Sequence, residues 1–190
     1  MLEQDRNRRF ERIVTPHLDA AYNLARWLIR DHHDAEDVVQ NAMLRAYRYL
    51  DSCREETARP WLLRIVRNAC YDWLHAKAAA PVTGFADFDP EDEAGANFST
   101  DVFGATALSP ESLLQREDDR GLIEAMLQAL PPEFREIIVL RELEALSYKE
   151  IAEIAGIPVG TVMSRLSRGR GLLVKEWKRR NEEAGEGAGQ

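Results

Sequence analysis

The chain has 190 residues, of which 45% are hydrophobic, and a formal net charge of −8 at pH 7. That length holds one ordinary domain or two small ones, and no apolar run approaches the ~20 residues that a bilayer-spanning helix needs. The net acidity argues against binding of polyanions by the whole surface, but it does not exclude a local basic patch. The charged amino terminus lacks a signal-peptide stretch, and Cys53 and Cys70 are too few for a disulfide framework. Composition therefore predicts a cytoplasmic protein without membrane insertion.

Charge and hydrophobic pattern divide the chain into four parts. Residues 1–77 and 116–180 mix both charge signs and are predicted to be two domains. Between them, residues 78–115 contain no Lys, Arg or His, carry several acids and show no sustained period, as is typical of a linker. Residues 181–190 are predicted to be a disordered tail. Because no long alternation of β-branched residues occurs, the predicted fold class is all-α, with two small helical domains joined by an acidic flexible linker.

The first domain begins with an interrupted helical pattern. Pro16 breaks the amino-terminal helix, so Thr15 and Pro16 are expected to start a new one. Asp34, followed three residues later by Asp37, is the predicted N-cap of the next helix, which reads AEDVVQNAMLRAYRYL. Helical spacing predicts a core face for this helix that comprises Ala35, Val38, Val39, Ala42, Ala46, Tyr49 and Leu50.

The opposite face of the same helix is polar except at one position. Its members are Glu36, Asp37, Gln40, Asn41, Leu44, Arg45 and Arg48. Single exposed apolar residues such as Leu44 are normal on solvated surfaces. An apolar residue surrounded by amides and paired charges also fits the centre of a protein-binding surface. The pattern therefore leaves two interpretations, a solvated face and a docking face.

The last helix of the first domain is marked by Pro60 in its predicted first turn. Its predicted buried stripe comprises Leu62, Ile65, Val66, Ala69 and Trp73. A second stripe at the same period comprises Arg64, Arg67, Asn68, Tyr71 and His75. Guanidinium, amide and aromatic groups on one face suit a sugar-phosphate backbone and exposed bases, although a solvated face has the same pattern. The preceding polar loop, DSCREETARP, either holds an unstacked base or simply connects two helices.

The second domain contains signals for two short helices joined by a turn. Ser147 is the predicted N-cap of the first, with Glu150 at the capping-box position. Gly156 can adopt the left-handed conformation that ends this helix, and Pro158 precedes the start of the next near Val159. This arrangement matches the helix-turn-helix, whose second helix enters the major groove of DNA. The predicted groove-facing residues are Val159, Gly160, Thr161, Ser164, Arg165 and Arg168.

Charge supports the helix-turn-helix interpretation. Between Pro158 and Arg180 there are seven Lys or Arg residues and a single acid, Glu176. This local excess attracts phosphates while the remainder of the chain stays acidic. The alternative is an αα-hairpin with a solvated basic face. The cap, the turn and the localised charge agree independently, and together they favour DNA binding.

In these blocks the sequence resembles the extracytoplasmic-function (ECF) sigma factors of bacterial RNA polymerase. The resemblance rests on DAEDVVQNAMLRAYRYL, ARPWLLRIVRNACYDWL and ALPPEFREIIVLRELEALSYKEIAEIAGIPVGTVMSRLSRGR, in that order around an acidic linker. It implies a sigma region 2 domain over residues 1–77 and a sigma region 4 domain over residues 116–180. It also implies a protein that binds core RNA polymerase through the β′ clamp and β flap, reads promoter DNA as duplex and as single strand, and is controlled by an anti-sigma factor.

The resemblance also implies roles for individual residues. The face formed by Asp37, Gln40, Asn41, Leu44 and Arg45 corresponds to the docking surface for the polymerase β′ clamp. The helix after Pro60 and its preceding loop correspond to the segment that captures the minus-ten strand, with Arg59, Trp61, Arg64, Arg67 and Asn68 as candidates. The helix after Pro158 corresponds to the reader of the minus-35 element. The linker would run through the active-site cleft and RNA exit channel.

Two other functions compete with this interpretation. A stand-alone helix-turn-helix regulator would bind duplex operators without polymerase, but it would not need an Arg, Asn and aromatic stripe for single strands. A metalloenzyme could use the DHHDAED stretch, whose possible ligands are Asp31, His32, His33, Asp34, Glu36 and Asp37. Adjacent histidines point apart on a helix, however, and the sequence has no Gly-rich phosphate loop, nucleophile elbow or His-Glu-x-x-His motif. We therefore expect no catalysis and no cofactor.

Overall fold

The computed structural model describes residues 3–79 and 121–187, so the predicted linker falls almost entirely outside the described residues. The first group of helices comprises α1 (Glu3–Ile13), α2 (Leu18–Ile29), α3 (His32–Arg48) and α4 (Ala58–Ala79). The second group comprises α5 (residues 121–129), α6 (Pro132–Ile138), α7 (Tyr148–Ala155) and α8 (Val159–Gly187). Single turns occupy Thr15–His17, Leu50–Ser52, Glu55–Thr57 and Val139–Leu143. The described residues form no strand, which confirms the all-α prediction.

Local signals at the start of the chain are mostly confirmed. Pro16 lies in the short 3-10 turn that separates α1 from α2, as expected from its missing amide hydrogen. The predicted N-cap of α3 is wrong, since the cap is Asp31, whose side chain accepts from the amides of His33 and Asp34. The helix therefore begins at His32. Because the DHHD stretch has an aspartate at each end, composition alone could not distinguish the two caps.

The core faces of α3 and α4 follow the predicted periodicity with few exceptions. On α3 every predicted core residue is buried except Tyr49, which is 65% exposed because it follows the last helical residue. On α4 the stripe beginning with Leu62 is buried or half-buried, and Leu63 and Cys70 are buried as well. The additional burial arises because α4 packs against α2, α3 and also α7 of the second group. Both cysteines are buried and free.

The helix-turn-helix forms at the predicted residues. Ser147 and Glu150 make the full capping box of α7, in which the Glu150 amide donates to the Ser147 hydroxyl and the Ser147 amide donates to the Glu150 carboxylate. Gly156 ends α7 with a left-handed φ of 68°. Helix α8 then begins at Val159 and continues to Gly187, beyond the point where the tail was predicted to begin.

The two groups of helices pack against each other. Helix α2 contacts α6, α4 contacts α7, and buried residues from both groups form one continuous hydrophobic cluster that includes Leu24 and Ile137. The polar side chains at this junction connect the surfaces predicted to bind nucleic acid.

Candidate nucleic-acid interface

The α3 surface, which we define as Asp37, Gln40, Asn41, Leu44 and Arg45, is exposed at every position. Leu44 is 61% exposed, and no residue of the second group of helices covers this face with a hydrogen bond or ion pair among the described residues. The Asn41 amide donates to the Asp37 carbonyl at 3.0 Å, and Arg45 pairs with Asp72 of α4 at 3.0 Å. The structure thus presents the predicted docking residues together on one open side of the molecule.

The α4 surface, which we define as Arg59, Trp61, Arg64, Arg67 and Asn68, is divided. Arg64 and Asn68 are exposed, and Trp61 is half-buried against the core. The guanidinium groups of Arg59 and Arg67 point at carboxylates of the second group of helices. The two arginines therefore have carboxylate partners in this arrangement, whereas Arg64 presents its charge to solvent.

Arg67 makes the most buried of these ion pairs. Its Nε and Nη2 atoms donate to the two carboxylate oxygens of Glu136 at 3.0 and 3.3 Å. Glu136 is fully buried, and the side chain of Arg67 is 18% exposed. Burial raises the pKa of Glu136, with the bonds to Arg67 acting in the opposite direction. Burial also acts to lower the pKa of Arg67, but the Glu136 carboxylate more than offsets this, so the net shift is upward. Both directions are expected for a desolvated pair of opposite charges.

A second ion pair joins Arg59 to Glu144. The Arg59 Nη2 atom lies 2.6 Å from Oε2 of Glu144, and the Asn23 amide approaches the other carboxylate oxygen at 3.4 Å. Glu144 is buried, with 7% of its side chain exposed. Because Asn23 belongs to α2 and Arg59 to α4, this one carboxylate contacts two helices of the first group.

Arg135 ties the two groups of helices together through main-chain carbonyls. It is 1% exposed and donates to Trp27 and Leu28 at the end of α2, and to carbonyls near the end of α5 at residues 127, 128 and 130. Burial lowers its pKa to about 10, and the neighbouring charge of Arg30 contributes. Carbonyls at helix carboxyl ends carry partial negative charge, so they compensate a buried cation without a carboxylate.

The recognition surface, which we define as the six predicted residues of α8, is partly exposed. Val159, Gly160, Ser164 and Arg168 are exposed, and Thr161 is half-buried. The Ser164 hydroxyl donates to the carbonyl of Thr161 at 3.1 Å. Arg165 is half-buried and turns towards Glu136, with 3.8 Å between Nη1 and Oε1. Thus Glu136 contacts one arginine from the α4 surface and one from the recognition surface.

Sequence reasoning missed Arg135, Glu136 and Glu144 as residues of this junction. A signal for the first two exists, because both stand inside the apolar run FREIIVL, where a charged residue must find a partner. The partners that join them to the first group of helices, however, lie more than sixty positions away, and no local sequence pattern indicates such pairs.

The DHHDAED stretch has structural contacts of its own. Asp31 caps α3, and the His32 ring accepts or donates a hydrogen bond with the Tyr22 hydroxyl at 2.6 Å and lies 3.4 Å from Glu36. Within residues 3–79 and 121–187, no group of three or more His, Cys, Asp or Glu side chains is arranged to hold a metal. In the same part of the chain, no helix combines the length and apolar character needed to cross a membrane.

Comparison with known families matches both groups of helices. Residues 13–79 match the family described as Sigma-70 region 2, and residues 120–173 match Sigma-70, region 4. The chain is 34% identical over 164 residues to the ECF RNA polymerase sigma factor SigE of Mycolicibacterium smegmatis, a match that covers 86% of this chain and 60% of that protein. It is 39% identical over 138 residues to the ECF RNA polymerase sigma-E factor of Escherichia coli, covering 72% of this chain and 70% of that protein.

Solved structures share the fold. The sigma factor RpoE of Bartonella quintana, in complex with the anti-sigma factor NepR, superposes with a TM-score of 0.64 at 24% identity, covering 89% of this chain and 96% of that one. CnrH, in complex with the cytosolic domain of CnrY, gives a TM-score of 0.61 at 24% identity, covering 91% and 90%. At this identity the likeness supports the helical architecture alone.

Proposed function

Because the chain belongs to the ECF family of RNA polymerase sigma factors, we propose that it binds core RNA polymerase and directs initiation at specific promoters. The observation that carries this proposal is the separation of surfaces: the exposed α3 surface lies in the region 2 match, and the recognition surface lies in the region 4 match. The proposed domains are residues 1–77 and 116–180, with residues 78–115 as linker and 181–190 as tail. The protein acts in the cytoplasm, where polymerase works, and has no catalytic activity itself.

The α3 surface is the proposed docking site for the polymerase β′ clamp. Its apolar centre, Leu44, is surrounded by exposed amide and charged groups that can pair with a partner, although Arg45 already contacts Asp72 and the Asn41 amide donates to the Asp37 carbonyl. Protein interfaces commonly combine such an apolar centre with a polar rim. The second domain would contact the β flap.

The two remaining surfaces are proposed to bind the promoter. The recognition surface would enter the major groove at the minus-35 element, with Arg168 and Ser164 exposed at its face. The α4 surface would hold the unpaired minus-ten strand, where arginine pairs with phosphate and aromatic rings stack on bases. Opening a base from the stack costs a few kcal/mol, so these contacts must offset that cost.

Promoter binding requires the two groups of helices to separate. In the packed arrangement Glu136 and Glu144 hold Arg67 and Arg59, which are then unavailable to phosphates. We propose that polymerase binding draws the domains apart and frees both arginines. An anti-sigma factor is the proposed partner that maintains the inactive form. This proposal is supported by two structural relatives, since RpoE was solved with the anti-sigma factor NepR bound and CnrH with the cytosolic domain of CnrY bound.

Reconstitution with core RNA polymerase tests the proposal. Run-off transcription from fragmented genomic DNA should give discrete start sites with the holoenzyme and none with either component alone. Leu44→Asp should reduce the affinity for core enzyme without lowering the melting temperature, because Leu44 is largely exposed. The matched control is Leu18→Asp on α2, which changes an apolar residue that is 38% exposed on another face. Tight binding to a duplex operator in the absence of core enzyme would instead support a stand-alone regulator.

A further inference from the structure

Helix α1 lies almost entirely before the region 2 match, which begins at residue 13. Its Arg6, Arg9 and Arg12 recur every three residues, so they lie along one side of the helix. All three contact the segment that connects α3 to α4. This segment, residues 50–57, includes most of the DSCREETARP stretch that is expected to approach the unpaired strand, and we refer to it as the 50–57 loop.

Arg6 binds the start of the 50–57 loop. Its Nη2 atom donates to the carbonyls of Tyr47 at 2.8 Å and Arg48 at 3.1 Å, which belong to the last turn of α3, where carbonyls lack the usual intrahelical partner four residues on. Its Nη1 atom pairs with Asp51 at 3.1 Å. A cation that donates to helix carboxyl-terminal carbonyls is favoured by the helix dipole. The side chain therefore fixes the direction in which the chain leaves α3.

Arg9 and Arg12 continue the contact along the loop. Arg9 donates to the carbonyl of Cys53 at 2.9 Å and lies 3.7 Å from Asp51. Arg12 lies 3.5 Å from Glu55, although both of these side chains are largely exposed and such pairs contribute little energy. The main-chain bonds from Arg6 and Arg9 are the stronger restraints, because each is a charge-assisted hydrogen bond.

The arginines of α1 also change the net charge around the 50–57 loop. Residues 50–57 carry Asp51, Glu55 and Glu56 against Arg54 alone, so the loop has two negative charges in excess. Such a loop would repel a phosphate backbone. Three arginines within 4 Å of it convert the excess into one positive charge. A DNA strand can then approach the loop without the repulsion expected from the acidic residues of the loop.

We propose that Arg6 and Arg9 are positioning residues that hold the 50–57 loop in the shape required to capture an unstacked base of single-stranded DNA. The inference rests on the proposed function, since it assigns the base-holding task to this loop. Neither arginine has to touch the DNA. The contact of Phe10 with Tyr47, whose ring centroids lie 5.4 Å apart, should keep α1 attached when an arginine is removed.

The role of Arg6 and Arg9 can be measured by how strongly the holoenzyme prefers a strand that carries the captured base over a strand that lacks it. The probe is a single-stranded oligonucleotide enriched from a random pool by wild-type holoenzyme, compared with the same oligonucleotide carrying an abasic site at its most selected position. The dissociation constant of the abasic oligonucleotide, divided by that of the intact oligonucleotide, reports base capture. It does not change if a variant merely lowers the fraction of folded protein. In Arg6→Ala/Arg9→Ala we expect this ratio to fall by about tenfold or more, the factor that one charge-assisted hydrogen bond supplies. Should the double variant not fold, Arg9→Ala alone is measured in the same way.

Two matched variants complete the experiment. Arg8→Ala removes an exposed arginine of α1 that is outside these contacts and should leave the ratio unchanged. Arg9→Lys should retain most of the discrimination of the wild type, because an ammonium group can still donate to the Cys53 carbonyl. An unchanged ratio in the double variant would overturn the inference, even if both oligonucleotides bound more weakly, since uniform weakening indicates a direct phosphate contact. If wild-type holoenzyme enriches no sequence from the pool, it is the proposed function that fails.

Discussion

Removal of Arg67 should open the packed arrangement of the two domains. Glu136 is fully buried, and Arg67 supplies its two short hydrogen bonds across the junction. In Arg67→Ala the carboxylate would keep the longer contact to Arg165 at 3.8 Å and the neighbouring Tyr71 hydroxyl while the domains stay packed. When the domains separate, water can reach and solvate the Glu136 carboxylate. The substitution therefore penalises the packed form and leaves the open form almost unaffected.

The size of this effect follows from the burial of the pair. Removing one partner of a fully buried ion pair costs about 3–5 kcal/mol. The exposed fifth of the Arg67 side chain and the remaining contact to Arg165 reduce that cost, so we expect about 2 kcal/mol. This corresponds to a change of roughly thirtyfold in the ratio of packed to open molecules. The fold of each domain should not change, because Arg67 makes its ion pair between domains and not within one.

Single-molecule energy transfer can measure this ratio in the free protein. Dyes on Asp19→Cys and Glu153→Cys would report the separation, since both positions are exposed and belong to different domains. The native thiols should not react, because both are buried and burial raises the pKa of Cys70 to about 12. Arg64→Ala removes an exposed arginine from the same helix and serves as the control. If Arg67→Ala and Arg64→Ala gave the same distance distribution, Glu136 would not hold the domains together.

Further predictions concern the second domain. Ser147→Ala should lower the free energy of unfolding by about 1 kcal/mol in a denaturant titration, because it removes the side-chain cap of α7. The bonds from Ser147 lower the pKa of Glu150 below its ordinary 4.5, so its stabilisation is present above that pH and is lost as the pH falls through the folded-state value. The difference in melting temperature between wild type and Glu150→Gln should accordingly narrow below about pH 4.5; a gap that widened on acidification would contradict the assignment. Gly169→Ala should change the free energy of unfolding by no more than about 1 kcal/mol, because the 2.9 Å approach of its Cβ to the terminal methyl group of Ile138 is offset by the higher helix propensity of alanine. Gly160→Ala, where the Cβ meets nothing within 4 Å, should not destabilise the fold.

Features governed by neighbouring residues were predictable from the sequence. The capping box at Ser147 and the left-handed turn at Gly156 depend on residues within one helical turn, and both occur where the pattern places them. Core periodicity on α3 was also correct until the helix ended one residue before Tyr49. The N-cap was misplaced by three residues because Asp31 and Asp34 are equivalent in type. Such errors reflect a choice between two locally acceptable solutions.

Features governed by distant residues were not predictable in this way. The periodicity of α4 marks Arg67 as a polar position but cannot indicate that a glutamate sixty-nine residues later will cover it. The same holds for Arg6, whose partners in the chain lie more than forty positions away. The sequence therefore predicts which arginines share one helix face, whereas only the structure shows which of those arginines already have a carboxylate partner.

The difference between exposed and paired arginines determines how tightly the free protein should bind DNA. Carboxylate and phosphate both accept two parallel hydrogen bonds from a guanidinium group, so Glu136 occupies on Arg67 the place that a phosphate would take. In the packed form Arg64 and Arg168 remain exposed, while Arg59, Arg67 and Arg165 face carboxylates. A strand could engage the paired arginines only by breaking the junction. Because phosphate contacts dominate affinity for nucleic acid, the free protein should bind DNA weakly, and docking on polymerase should supply the energy that exposes the remaining arginines.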